Sequence, residues 1–229
     1  MGTSTVVKSF KSFLNEGVND PAIFKAIFLA GGPGSGKSFI VGKTGLTTMG
    51  YKVVNSDDAF ENAMKKASME MNPDNIFSVK GQELRGKAKN LTGIKQSMYI
   101  KGRLGLVIDG TGKDPSKIAD QAKELKKLGY DVAMIFVNTD LDTAISRDAQ
   151  RARTLGAKGV TEYWKAVQAN IGKFQTMFGK TNFLVVDNSE GKDYQKETVR
   201  AYRDATKFTK SPVDNAKAKK WIAGEKKKK

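Results

Sequence analysis

The chain has 229 residues, a length that fits one domain with a sizeable core, and its 39% hydrophobic and 28% charged residues are ordinary for a soluble globular protein. It contains no cysteine and no histidine, which excludes disulfides, thiol nucleophiles and Cys/His zinc sites and leaves a carboxylate, Lys or Tyr for proton transfer near neutral pH. The formal net charge is +16 and no apolar run reaches the ~18 residues of a membrane span, so a polyanionic partner is open, no membrane partner is expected, and a reducing, cytoplasmic setting is compatible.

Residues 1–24 read as an N-terminal helical segment with Val6, Val7, Phe10, Phe13 and Leu14 on one face, and they hold no apolar core long enough for a signal peptide. From there to residue 206 short apolar strands alternate with helical stretches. Strands are expected at 26–30, 52–55, 104–108, 132–138 and 183–187. Most are continuous apolar runs, as strands buried on both faces are. Helices are expected at 37–49 before Gly50, at 116–128 before Gly129, at 141–154 after the N-cap Asp140, at 161–178 before Gly179 and at 194–206. The alternation predicts an α/β fold with a mainly parallel, five-stranded sheet.

Between the second and third strands lies a 59–103 insertion, where one helix would suffice. Asn72-Pro73-Asp74 breaks it into two helical pieces, the second rich in Lys and Arg, including Arg85 and Lys89. Ligands of parallel sheets sit at the carboxyl ends of the strands, and long excursions there cover the site.

The strand at 26–30 is followed by Gly31, Gly32, Pro33, Gly34, Ser35, Gly36, Lys37 and Ser38, which fit the phosphate-binding pattern G-x-x-x-x-G-K-[ST] and open a helix. Glycines let successive backbone N–H groups turn inward on an anion, and the helix N-terminus adds its positive end. Lys37 can reach the β- and γ-phosphates of ATP, and the Ser38 hydroxyl can ligate Mg²⁺.

The second strand ends in Asn55-Ser56-Asp57-Asp58 and the third in Ile108-Asp109-Gly110-Thr111-Gly112. In a parallel sheet both acidic groups emerge at the edge that carries the glycine-rich loop. A carboxylate there binds magnesium or accepts a proton from a substrate hydroxyl. Asp57 and Asp58 have a second reading as an N-cap pair on the next helix. Asp109, at the end of an apolar strand, has the place of a magnesium-side carboxylate. Arg147, Arg151 and Arg153 fall within seven residues of a chain with only seven arginines, and guanidinium groups suit the charge that develops in phosphoryl transfer. Glycine-bearing residues 155–159 follow, as in a hinged lid at 141–160. The alternative is a basic solvated helix with Asp148 as partner.

Pro212 marks an expected boundary, and residues 207–229 form a basic C-terminal tail with nine lysines against Asp214 and Glu225. The tail reads either as an electrostatic tether to nucleic acid or as a solvated solubility segment.

Three strings together, GGPGSGKS, VVNSDDAF and LVIDGTGKD, resemble the zeta-toxin and polynucleotide-kinase group of P-loop kinases over about residues 26–187. The resemblance implies a P-loop NTPase fold of the nucleoside-monophosphate-kinase-like kind, a three-layer sandwich, with 25–206 as the kinase-like domain. It also implies an ATP-dependent phosphotransferase acting on an alcohol group. Lys37 and Ser38 then bind phosphate and magnesium, with Asp109 at the metal. Asp57 or Asp58 is the base, and Arg147, Arg151 or Arg153 line the γ-phosphate. The acceptor is a nucleotide sugar, a nucleic-acid 5′ end or another small molecule. Polynucleotide kinases often place an arginine shortly after the aspartate, and Ala59-Phe60-Glu61 holds none. The competing reading is a nucleotide-dependent ATPase or binding protein tethered to nucleic acid by its basic tail.

Overall fold

In the computed structural model, residues 17–151 and 154–228 are described. The expected N-terminal helix at 1–24 falls largely outside them. Five parallel strands, β1 (Lys25–Ala30), β2 (Lys52–Val54), β3 (Leu106–Asp109), β4 (Asp131–Asn138) and β5 (Phe183–Asp187), pair in the order β2-β3-β1-β4-β5. The central strand β1 lies between β3 and β4, so consecutive crossovers leave it in opposite directions. That switch opens a crevice at the carboxyl ends of the strands.

Side chains alternate across β1. Ala26, Phe28 and Ala30 face one core, Ile27 and Leu29 the other. The first core is closed by α5 (Pro115–Leu128), α7 (Gly156–Gln168) and α8 (Ile171–Phe178), through Ile118, Leu125, Val167 and Phe174. The second is closed by α1 (Lys37–Thr44) and α9 (Tyr194–Lys210), through Ile40, Ala201 and Ala205. Sheet and two helical layers make the expected three-layer sandwich. The insertion forms α2 (Asp57–Lys66), α3 (Pro73–Phe77) and α4 (Val79–Lys101). They share a small core of Phe60, Met64, Ile76 and Ala88. α6 (Leu141–Ala149) follows β4, and α10 (Ala216–Lys226) closes the described chain.

Several boundaries depart from expectation. α1 ends at Thr44 because Gly45 takes the left-handed conformation at φ 59°, a common helix stop. The insertion has three helices where two were expected. The helix expected at 161–178 begins at Gly156 and breaks around Ala169 and Asn170, so α7 and α8 are separate. α6 stops at Ala149, five residues before its expected end.

The largest departure is at the C-terminal end. α9 continues through Lys210, and α10 packs Ala218, Trp221 and Ile222 on the first core, so this segment is no loose tail. Trp221 meets Phe24 edge-to-face at 5.6 Å. Beneath it the Lys25 ammonium, 1% exposed, donates to Asp131 Oδ2 at 3.0 Å and to Ser211 Oγ at 3.1 Å. The Asp131 carboxylate also accepts the backbone N–H groups of Asp214 and Asn215. Asp131→Ala strands a buried ammonium and is expected to cost about 3–5 kcal/mol of stability in urea unfolding. A loss under about 1 kcal/mol would show that the segment does not depend on this anchor. Among the described residues no helix is long and apolar enough to cross a membrane.

Candidate functional site

The chain leaves β1 at Ala30 and enters α1 at Lys37, and the glycine-rich loop fills the six residues between. Gly34 and Gly36 take φ of 73° and 85°. A Cβ at Gly34 would stand 2.3 Å from the Ala144 carbonyl oxygen, so the loop cannot carry a side chain there. The turn is held from inside by Ser35 N–H donating to Gly32 O at 3.2 Å. Asn188 Nδ2 donates to Ser35 O at 2.8 Å from the end of β5. Gly31 N–H donates to Thr111 O at 3.1 Å, which ties the loop to the segment after β3. The Lys37 ammonium donates to Gly31 O at 2.7 Å and so stays inside the loop. Ser38, one residue on, is exposed at the start of α1.

Asp109 ends β3 beside the loop. Asn55 Nδ2 donates to its Oδ2 at 2.9 Å, while its Oδ1 is buried with no hydrogen-bond partner. Burial pushes the Asp109 carboxyl above the usual carboxylate range, the Lys37 ammonium opposes that push, and Asp57 and Asp58 add to it. Burial likewise pushes the Lys37 ammonium down. Asp109 opposes that shift, Arg151 adds to it, and Asp57 opposes it. The five groups therefore share one electrostatic neighbourhood.

Asp57 and Asp58 are the first two residues of α2, where the helix dipole favours carboxylates. Ser56 holds the N-cap position, so neither aspartate is the cap. Asn55 Oδ1 accepts Asp57 N–H at 2.8 Å while its amide holds Asp109. One asparagine thus links the Asp109 carboxylate to the backbone at the start of α2. Arg85 on α4 approaches Asp57 Oδ1 at 3.7 Å and lies 5.0 Å over the Phe60 ring.

One recess lies at the ends of β1 and β3 and another borders the loop at Gly36. The first, of about 800 Å³, opens between α4 and the start of α5, with Ser56, Lys89, Gln96, Asp109, Lys113 and Lys117 in its wall. Lys113 Nζ stands 4.0 Å over the Tyr163 ring, which links α7 to this wall. Asn170, at the α7–α8 break, donates to the carbonyls of Gly112 and Lys113 at 3.1 Å each. The other recess, of about 460 Å³, is lined by Gly36, Phe39, Arg147, Asn188, Lys192 and Tyr194. Phe39 and Tyr194 meet edge-to-face at 5.9 Å.

The arginines separate. Arg147 turns to the smaller recess and donates to Asn188 O at 2.9 Å. Arg151 follows α6 as an exposed residue whose charge reaches Lys37. Arg153 lies outside the described residues. Asp148 is 2% exposed and accepts Leu155 N–H at 2.7 Å, so it ties the end of α6 to the start of α7. The hinge expected at 155–159 is shorter, because α7 starts at Gly156. Among the described residues no group of three carboxylates gathers to hold a metal by itself.

Sequence reasoning overlooked Asn55 as a brace, and also Phe39, Tyr194 and Asn188. Asn188 had a usable signal, since it follows the last strand at the edge where the other site residues emerge.

The sheet order, the loop after its central strand and the strand-end carboxylates define a P-loop α/β protein of the kinase fold. More narrowly, the chain belongs to the zeta-toxin family. The family model described as Zeta toxin matches residues 15–198. No curated protein matches the chain. Among solved structures, the PezAT chromosomal toxin–antitoxin system of Streptococcus pneumoniae aligns with TM-score 0.55 at 15% identity, over 90% of this chain and 94% of that one. The Pnkp1/Rnl/Hen1 RNA repair complex aligns with TM-score 0.51 at 19% identity, over 66% of this chain and 46% of that one. AvrRxo1-ORF1:-ORF2 with ATP aligns with TM-score 0.53 at 16% identity, over 80% and 64%. At such identities the likeness is one of fold.

Proposed function

We propose that the protein is an ATP-dependent kinase that moves the γ-phosphoryl group of ATP to a hydroxyl of an acceptor seated in the 800 Å³ recess. The observation that carries this reading is that Asp109, which shares its electrostatic setting with Lys37 and Asp57, lines a recess separate from the one beside Gly36. A hydrolase needs only the nucleotide side. A transferase needs a second chamber, and the wall of this one includes Asp109.

ATP would lie with its phosphates in the glycine-rich loop and its base beside Phe39 and Tyr194. Lys37 neutralises the β- and γ-phosphates, and Arg151, whose charge reaches Lys37, supports the γ-phosphoryl group. Arg147 braces the base side. Magnesium suits the Ser38–Asp109 pair, since Asp109 Oδ1 is a buried acceptor without a partner, and it would supply charge neutralisation between the phosphates. Asp57 is the favoured base, because Asn55, which donates to Asp109 Oδ2, also accepts the Asp57 backbone N–H and so sets Asp57 at that end of the strands. The acceptor oxygen then bonds to the γ-phosphorus as its proton passes to the Asp57 carboxylate. The bond from that phosphorus to the bridging oxygen breaks, and ADP leaves.

Lys89, Lys113 and Lys117 in the acceptor wall suit a phosphate-bearing acceptor, such as a nucleotide sugar. A polynucleotide 5′ end and a neutral small molecule are the competitors. The test is a screen with γ-labelled ATP against nucleotide sugars, nucleosides and 5′-hydroxyl oligonucleotides. Label on one acceptor class supports the kinase. Label released only as inorganic phosphate, with every acceptor, supports the ATPase reading instead.

On the base side, Tyr194→Ala is expected to weaken ATP about five-fold, roughly 1 kcal/mol of aromatic contact, with kcat little changed. An unchanged KM for ATP would remove the smaller recess from the nucleotide site.

A further inference from the structure

We propose that α10, the C-terminal end of α5 and Arg103 form a folded face that binds nucleic acid through its phosphate backbone, at the amino ends of the strands and so opposite the nucleotide site. α10 is fixed in place. Ala218, Trp221 and Ile222 face the core, Asn215 Nδ2 donates to Lys126 O at 2.7 Å, and Lys217 Nζ donates to Lys127 O at 2.7 Å. With its apolar residues turned inward, the helix presents Lys219, Lys220, Lys226 and Lys227 outward. Arg103 joins them with its guanidinium 4.2 Å above the Trp221 ring.

The carboxylates on this face are few. Asp214, Glu225 and Glu124 are each held by a lysine, Lys219, Lys228 and Lys127, at 3.0, 2.6 and 2.6 Å. Over residues 207–229 lysine outnumbers acid nine to two, so a strong positive field remains after this pairing. An eleven-residue helix spans about 16 Å, enough to follow several successive phosphates along one strand. A bilayer surface fits less well. Membrane-lying helices need large apolar side chains on the outer face, and the exposed residues of α10 are Lys, Ala and Gly.

The face stands apart from the chemistry. β1 begins at Lys25, next to Phe24, which packs on Trp221 of α10, and ends at Ala30 before the glycine-rich loop, which separates the two by about 17 Å or more. Nucleic acid held here leaves the ATP loop open, so the inference stands whether or not the kinase reading does.

The experiment is fluorescence anisotropy of the full chain with a labelled short DNA duplex and a labelled single-stranded RNA, from about 50 to about 200 mM salt. The variant is Lys220→Gln/Lys226→Gln/Lys227→Gln, and the control is Lys65→Gln/Lys66→Gln/Lys95→Gln on the insertion. All six side chains are exposed, and matched melting curves check that both proteins fold. Wild type and control are expected to bind at least one probe with the same salt slope, and the slope of the variant on duplex DNA should be shallower by about 2–3. No binding of either probe by wild type at the lowest salt overturns the proposal. So does a variant with an unchanged slope, and so does capture by phosphatidylserine vesicles while both probes remain free.

Discussion

Lys37→Ala is expected to abolish tight ATP binding and, with it, phosphoryl transfer. The ammonium sits inside the loop, bonded to Gly31 O at 2.7 Å and facing Asp109 in a desolvated setting. A charge-assisted contact to phosphate there is worth a few kcal/mol, about 10²-fold in affinity. The transition state loses more, because the same ammonium faces the oxygens on which charge develops. The change also leaves Asp109 without its nearest cation, and its carboxyl, already pushed up by burial, rises further. Calorimetry with ATP and Mg²⁺ reads the affinity, and a thermal melt confirms that the fold persists. Unchanged affinity would mean that the glycine-rich loop is not the phosphate site.

Asp57→Asn is expected to show the opposite division. Asparagine keeps the size and the Asn55-to-backbone contact at the start of α2 but cannot take a proton. ATP affinity should hold while kcat falls about 10²–10⁴-fold, the usual loss for a missing general base. Asp58→Asn should cost far less, since Asn55 ties the start of α2 at Asp57 to Asp109. If Asp58→Asn is the crippled variant and Asp57→Asn is not, the base lies one residue further along α2. If neither slows transfer, the proton leaves by another route.

Much of this was legible in the residues because it depends on local chemistry. Apolar runs bounded by glycine report buried parallel strands, and all five strands were expected within two residues of their ends. The glycine-rich loop was recognisable because phosphate binding needs backbone freedom at fixed positions, which here forces Gly34 against Ala144. Features fixed by tertiary contact were not legible. Asn170 and Gly172 weaken the helical pattern there, but neither marks a stop by itself. The break between α7 and α8 accompanies an Asn170 amide bonded to the carbonyls of Gly112 and Lys113, far away in sequence. Lysine hid the packing of α10, although Ala218, Trp221 and Ile222 recur at helical spacing and were the available signal. Arg85 reaches Asp57 across a helix pair whose packing no local pattern reveals.

The most direct test follows the γ-phosphoryl group itself. Wild type is given γ-labelled ATP, Mg²⁺ and the acceptor found by the screen, and label in acceptor and in inorganic phosphate are measured from the same reaction. The account predicts that acceptor carries most of the label, that Lys37→Ala abolishes both products, and that Asp57→Asn lowers transfer while ATP still binds. Label appearing only as inorganic phosphate, at a rate no acceptor changes, would contradict it.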